Sequence, residues 1–289
     1  MPALRWGDMR PRVVIRGAGD MGTATGRRLF LCGFEVIHVE TPQPTVIRRA
    51  VAFASAVYEG SVTVEGVSAV LARDAGSTLG LVRDGVVAVL VDPDLQCVDA
   101  LAPLVVVDAT LRKGKQTLTV PTVMTMAECV VALGPGFTAG RDVHAVIETQ
   151  RGHDLGRVIT EGQSAPYTGV PGNIGGVCAE RVIRAPGMGT FSPVMAIGDL
   201  VAAGDLVAHI GTAEVRAPIG GVLRGLLHEG LEVVVGEKIG DVDPRGDPRL
   251  CFTISDKANA VAGGVLEAVF GGLPGTLAIQ ANSENGGRT

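Results

Sequence analysis

Arg12-Val13-Val14-Ile15-Arg16-Gly17-Ala18-Gly19-Asp20-Met21-Gly22 runs from a β-branched strand straight into a glycine turn. A helix-compatible segment follows from Thr23 to Leu31, and Gly33 fits the stop just past a helix end. Phe34–Val39 predicts a second strand, closed by Glu40. Strand, G-x-G-x-x-G turn, helix and strand, with an acid about 20 residues on, is the pattern of a dinucleotide-binding βαβ unit. Each part has a physical job. Gly17 permits the tight turn, Gly19 lets a pyrophosphate approach the backbone, and Gly22 allows close helix–sheet packing. The helix start at Asp20–Thr23 offers unpaired N–H groups and a positive dipole end. Glu40 would accept from a ribose hydroxyl. Gly17, Gly19, Asp20, Gly22, Thr23 and Glu40 are therefore candidate cofactor-binding residues. The negative charge of Asp20 opposes a pyrophosphate, so a βαβ unit that binds no dinucleotide stays open as the alternative.

Further apolar strands are predicted at Val86–Val91 and Leu104–Val107, the second ending in Asp108. An acid at the carboxyl end of a parallel strand lies where open α/β sheets bind ligands, so Asp108 is either a site residue or a helix N-cap. Arg112, Lys113 and Lys115 follow it, as an anion contact or a solvated turn. After another strand, Val130–Leu133, comes the loop Gly134-Pro135-Gly136-Phe137-Thr138-Ala139-Gly140. His144 and Glu148 stand four apart, and the turn at Arg151-Gly152 could bring His153 and Asp154 back beside them. These four are the candidate catalytic group, fit for acid–base work. Their spacing matches no standard zinc motif, and no metal is assigned. Arg141, Arg151 and Arg157, with the amides of Gly134 and Gly136, offer anion binding instead. A hydrogen-bonded polar turn at the domain junction is the third reading. The glycine-rich stretch Thr168–Gly176 carries the same ambiguity.

Arg184-Ala185-Pro186 recurs as Arg216-Ala217-Pro218, and the offset of 32 residues persists without gaps. Gly189 falls on Gly221, Gly198 on Gly230, Gly204 on Gly236 and Val207 on Ile239. One copy of such short strands could not bury its apolar face alone. The expectation is a duplicated barrel-sandwich resembling a biotinyl or lipoyl domain. No lysine lies between Lys115 and Lys238, so no biotin or lipoate is expected on it. The predicted fold class is α/β: a Rossmann-like parallel-sheet domain (1–133), a glycine-rich polar junction (134–183) and the barrel-sandwich unit (184–245). A strand at Leu250–Ile254 and a helix from Ala258 to Phe270 would pack back (246–272), ahead of a frayed tail (273–289). Gly263-Gly264 inside that helix is costly and implies close packing or a ligand.

With 289 residues, two domains are expected, and the 46% hydrophobic content supplies their cores. A net charge of −5 without a basic run argues against a nucleic-acid partner. The apolar runs are too short to span a bilayer, and the start shows no signal-peptide pattern. Five scattered cysteines without a C-x-x-C pair fit a reducing, cytoplasmic setting.

From Val14 to about Phe270 the chain resembles the selenium-dependent molybdenum hydroxylase system proteins of the YqeB type. The stretches that carry the resemblance are I-R-G-A-G-D (Ile15–Asp20), E-T-P-Q-P-T (Glu40–Thr45) and G-P-G-F-T-A-G (Gly134–Gly140). Others are V-I-E-T-Q-R-G-H-D-L-G-R (Val146–Arg157), I-G-D-V-D-P-R (Ile239–Arg245), S-D-K (Ser255–Lys257) and G-G-V-L-E-A (Gly263–Ala268). Alanine commonly stands in that family where this chain has Gly22, and glycine where it has Ala24. The resemblance implies an accessory factor in maturing molybdenum hydroxylases of the xanthine dehydrogenase kind. It would handle the molybdenum cofactor and its terminal sulfur or selenium, with an apo-hydroxylase as partner. Two other functions fit the residues. One is an NAD(P)-dependent oxidoreductase built on the glycine turn. The other is a non-catalytic assembly scaffold built on the repeat, compatible with a homo-oligomer.

Overall fold

A computed structural model describes residues 10–111 and 119–273. The trio Arg112, Lys113 and Lys115, and the tail expected to fray beyond residue 273, lie outside them. β1 (Arg12–Arg16) enters the turn at Gly17, whose φ of 94° favours glycine. α1 (Asp20–Leu31) starts one turn earlier than the sequence suggests, and β2 (Glu35–Glu40) returns parallel to β1. The next stretch holds elements that apolar periodicity did not mark. α2 (Ala56–Glu59) is followed by β3 (Ser61–Val64) and β4 (Val67–Ala72), a hairpin turning at Glu65-Gly66, both with positive φ. α3 (Ala75–Arg83) begins with a capping box between Asp74 and Ser77. Then come β5 (Val87–Val91), α4 (Val98–Leu101), β6 (Val105–Asp108), β7 (Cys129–Leu133), β8 (Ala145–Ile147) and β9 (Val158–Ile159).

These strands form one nine-stranded sheet in the order β3-β4-β5-β2-β1-β6-β7-β8-β9. Pairings from β4 to β8 are parallel, and the edge pairs β3–β4 and β8–β9 are antiparallel. The central strands are continuous apolar runs because both faces are covered. One face packs under α1 and the carboxyl-terminal helix. The other packs under α3, α4 and Phe137.

Eight short strands follow: β10 (Val182–Arg184), β11 (Gly189–Pro193), β12 (Leu200–Val201), β13 (Leu206–Ile210), β14 (Ala213–Arg216), β15 (Gly221–Leu226), β16 (Glu232–Val233) and β17 (Lys238–Asp243). The first four superpose on the last four at the offset of 32 residues read from the sequence. They assemble as two four-stranded sheets, β10-β17-β15-β12 and β14-β13-β11-β16, antiparallel throughout. Each sheet therefore takes two strands from each copy, and Phe191, Val207, Leu223 and Ile239 fill the core between them.

This corrects the expected fold class. The chain is not a Rossmann-like domain followed by a biotinyl- or lipoyl-like barrel-sandwich. It is an α/β domain on a mixed, mainly parallel sheet, joined to two antiparallel sheets, and no carrier-type unit is shown among the described residues. A repeat fixes how many strands exist but not which strand pairs with which. The strand expected at Leu250–Ile254 is also absent. Asp247 accepts from the Arg249 amide, Pro248 takes the first position, and Pro248–Cys251 coils into a 3₁₀ turn. Ser255 then caps α5 (Asp256–Gly272) through the Ala258 amide, so this helix returns to the large sheet as expected. Among the described residues no helix is long and apolar enough to cross a membrane.

Candidate functional site

The carboxyl ends of the parallel strands bring together Asp92, Glu40, Arg16, Asp108 and Glu148, all nearly buried. Glu40 does not face outward. Its Oε1 accepts from the Ala18 amide at 2.7 Å and its Oε2 from the Thr41 amide at 2.9 Å. Burial raises its pKa, and these amides oppose that rise. The acid thus grips the glycine turn from within. Asp20 Oδ1 accepts from the Met21 amide at 3.0 Å. Thr23 is buried, donating to the Ala18 carbonyl and accepting from the Phe53 amide, which ties the turn to the segment above it. A Cβ on Gly19 would lie 3.6 Å from Val46, and one on Gly22 would overlap the Gly17 carbonyl. Gly22 is therefore a packing glycine, as read. Two carboxylates, Glu40 and Asp20, thus border the turn where a dinucleotide phosphate would approach. Asp108 is fully buried and accepts from the Thr110 amide at 3.0 Å, the Thr110 hydroxyl at 2.5 Å and the Thr122 hydroxyl at 2.6 Å. Arg16 sits opposite it in register and donates to the carbonyls of Val120 and Pro93. Arg16, Asp92 and Thr122 were not singled out from sequence. Only their position at strand ends could have marked the first two.

The expected acid–base group does not assemble. β8 runs as a strand, so His144 precedes it at one end of the strand and Glu148 follows it at the other. Four residues of strand separate their Cα atoms by roughly 13 Å. His144 Nδ1 accepts from the Val130 amide at 2.9 Å. Glu148 accepts from the amides of Gln150 and Ala165. His153 is exposed, and Asp154 pairs with Arg157 at 2.9 Å. The arginines offered for anion binding each hold their own carboxylate: Arg141 holds Asp142, Arg151 holds Asp256, and Arg157 holds Asp154. Gly134 backs onto Thr149, and Gly136 adopts a φ of 104° beside the buried Phe137. This loop is a structural fold-back. Among the described residues no three His, Cys, Asp or Glu side chains converge as a metal-ligand set.

A second charged region lies where the two parts of the chain meet. The residues after β2 cross β15, with the Leu226 amide on the Ile47 carbonyl at 2.8 Å and Arg49 Nε on the Leu226 carbonyl at 2.9 Å. Beside this crossing Arg181 pairs with Asp241 at 2.6 Å. Arg245 grips Asp243 through two nitrogens, at 2.9 and 2.6 Å, and Arg224 stands 3.4 Å from the same carboxylate. Burial works against the Asp243 charge, but Arg245 and then Arg224 hold its carboxyl below the usual range. Burial lowers the Arg224 pKa, and the neighbouring Arg48 lowers it further. The sequence did carry one signal here: Asp241 and Asp243 are two apart in an apolar strand and so share a face.

No family model matches the chain. It is 53% identical, over 257 residues and 89% of its length, to the uncharacterized protein YqeB of Escherichia coli (strain K12). Over that stretch the chain is a YqeB homologue. It spans about half, 47%, of the length of YqeB. Solved structures similar in fold are an aspartoacylase family protein from Mesorhizobium loti and the ectoine utilization protein EutE from Ruegeria pomeroyi. The first is 9% identical, covers 82% of this chain and 85% of its own, and has a TM-score of 0.24. The second is 13% identical, covers 81% and 85%, and has a TM-score of 0.26. A succinylglutamate desuccinylase/aspartoacylase from Rhodobacter sphaeroides is 12% identical, with coverage of 81% and 84% and a TM-score of 0.25.

Proposed function

We propose that this YqeB homologue is an accessory factor in the maturation of molybdenum hydroxylases. It takes the molybdenum cofactor, or a nucleotide used in its modification, as cargo and docks on an apo-hydroxylase. The support is a convergence. Four of the stretches that resemble the maturation family are far apart in sequence, yet they lie around one junction. Arg151 joins Asp256 through two hydrogen bonds of 2.7 and 2.9 Å. Gly156 lies under α5, where a Cβ would come within 2.6 Å of the Ala260 carbonyl. Gly175 packs on Pro244 and Arg245. These contacts, with Gly264 against the Gly156 carbonyl and the charge of Arg245 acting on Arg151 and Asp256, gather segments 146–157, 239–245, 255–257 and 263–268 into one region rich in arginine. Such a region suits an anionic cargo better than the glycine turn, where the Ala18 and Met21 amides are already taken by carboxylates. The engagement of His144 and Glu148 with backbone amides, and of Asp154 with Arg157, likewise favours handling over catalysis.

Deleting the gene in its host and assaying a molybdenum hydroxylase tests the proposal. Hydroxylase activity is expected to fall while its polypeptide accumulates, with less sulfur or selenium on the cofactor. Unchanged activity and unchanged cofactor chalcogen would sink it.

A further inference from the structure

Arg48, Arg181 and Arg224 are more than nine-tenths buried. Their terminal nitrogens are engaged. Arg48 Nη2 donates to the carbonyls of Leu250 and Thr253, at 3.0 and 3.1 Å. Arg181 reaches Asp241 through Nη1 at 2.6 Å and the Gly172 carbonyl through Nη2 at 3.2 Å. Arg224 Nη1 meets Asp243. Yet the Nε–H of all three, and Oδ1 of Asp241, have no hydrogen-bond partner among the described residues. A buried donor left unmade is expensive, and native proteins tolerate few of them outside sites that await a ligand or ordered water. Arg181 and Arg224 stand on the neighbouring Asp241 and Asp243, and Arg48 acts on Arg224, so the three unmade donors lie in one charged region that an anion could satisfy.

Charge points the same way. With Arg245, four guanidiniums stand by the carboxylates of Asp241 and Asp243, while Asp256 and Asp247 act on Arg245 from farther off. The nearby Arg151 and Asp256 cancel each other. Two positive charges are left uncompensated in a region where burial and Arg48 already depress the pKa of Arg224. An incoming anion must also tolerate the free Asp241 oxygen, which the surplus of cations outweighs. The arginines come from separate elements: the segment after β2, the approach to β10, and β15. A planar carboxylate is satisfied by one guanidinium fork, whereas a tetrahedral anion uses donors from several directions.

We propose that this seam binds a doubly charged tetrahedral oxyanion, inorganic phosphate or a phosphate monoester. Arg245 marks the way in: its side chain is 45% exposed, and the glycine-rich loop around Gly175 packs on it. The site rests on the seam geometry alone, so its failure would leave the maturation reading standing.

Calorimetric titration of the full chain at constant ionic strength tests this. Inorganic phosphate is expected to bind saturably with a Kd below about 1 mM. Arg245→Gln, at a half-exposed position, is expected to weaken it at least about tenfold, and Arg48→Gln more. Malonate, planar at each end, is expected to bind more weakly than phosphate. Glycerol phosphate binding tighter than inorganic phosphate would identify a monoester as the ligand; equal or weaker binding would identify the free anion. No saturable phosphate binding overturns the proposal. So does phosphate affinity unchanged in a folded Arg245→Gln protein, or malonate binding as tightly as phosphate.

Discussion

His38 lies fully buried beneath the glycine turn, edge-on to Phe53 with ring centres 5.4 Å apart. Its Nδ1 is 3.2 Å from the Gly17 carbonyl, which can only accept, so Nδ1 carries the proton. Its Nε2 faces Gly26, where even a Cβ would overlap it, and has no partner among the described residues. A second proton there would be a buried charge with nothing to receive it. Burial accordingly lowers the pKa from 6.5 to about 4, against a smaller upward pull from the Gly17 carbonyl. Between those two values the unfolded chain binds a proton that the folded chain refuses. Stability is therefore complete above pH 6.5 and falls as pH drops toward 4, by about 3 kcal/mol from this one residue. Denaturant unfolding at pH 7.5, 6 and 5 would show it, with His38→Gln as the control. Equal slopes against pH in the two proteins would remove His38 as the cause. Glu40 shows the limit of sequence reading at this scale. Its place at the end of a strand was legible; its partner was not. A carboxylate near a glycine turn can bond a ligand or the turn's own amide, and only packing decides.

α5 poses the same question at the scale of an element. Two adjacent glycines in a helix cost stability unless something needs the room, and the structure separates their reasons. A Cβ on Gly264 would overlap the Gly156 carbonyl, which is backbone and cannot move aside. A Cβ on Gly263 would meet only Arg28 Nη1, the end of a flexible side chain, at 2.9 Å. Gly264→Ala is expected to destabilise by about 1–3 kcal/mol through overpacking. Gly263→Ala is expected to be neutral or to stabilise by up to about 1 kcal/mol through helix propensity. Chemical denaturation of both would check the contrast, and equal effects would refute the helix contact as the cause. Strong periodicity made β1, α1, β2, β7 and α5 legible in the sequence, because each buries a continuous apolar face. The β3–β4 hairpin was missed because half its residues are exposed and its Glu65-Gly66 turn is short. Leu250–Ile254 failed as a strand because a local cap at Asp247 outweighed apolar content. His144 and Glu148 share a face of the chain, but along a strand that places them at its opposite ends.

For the whole molecule, the 32-residue repeat told that short strands come in two copies, while their exchange between two sheets depends on contacts no single copy contains. The seam between the α/β domain and those sheets was equally hidden, since it joins residues near 48 to residues near 225. It is nonetheless tight. Besides the Ile47–Leu226 and Arg49–Leu226 hydrogen bonds, Tyr58 stacks on His228 with ring centres 3.8 Å apart. Gly225 is the point of closest approach. A Cβ there would come within 2.8 Å of the Ile47 carbonyl and 2.9 Å of Asp241 Oδ1. A seam of this kind makes the two parts unfold together, because opening it exposes the buried arginines with their aspartates. The chain is thus expected to melt in one calorimetric transition. Gly225→Val forces the crossing segment away from β15, at a cost of about 1–3 kcal/mol. It is expected to lower the melting temperature and to split the endotherm as the antiparallel sheets uncouple from the α/β domain. A variant that melts like the parent, in one transition at the same temperature, would mean that the seam is a surface contact and not a shared core.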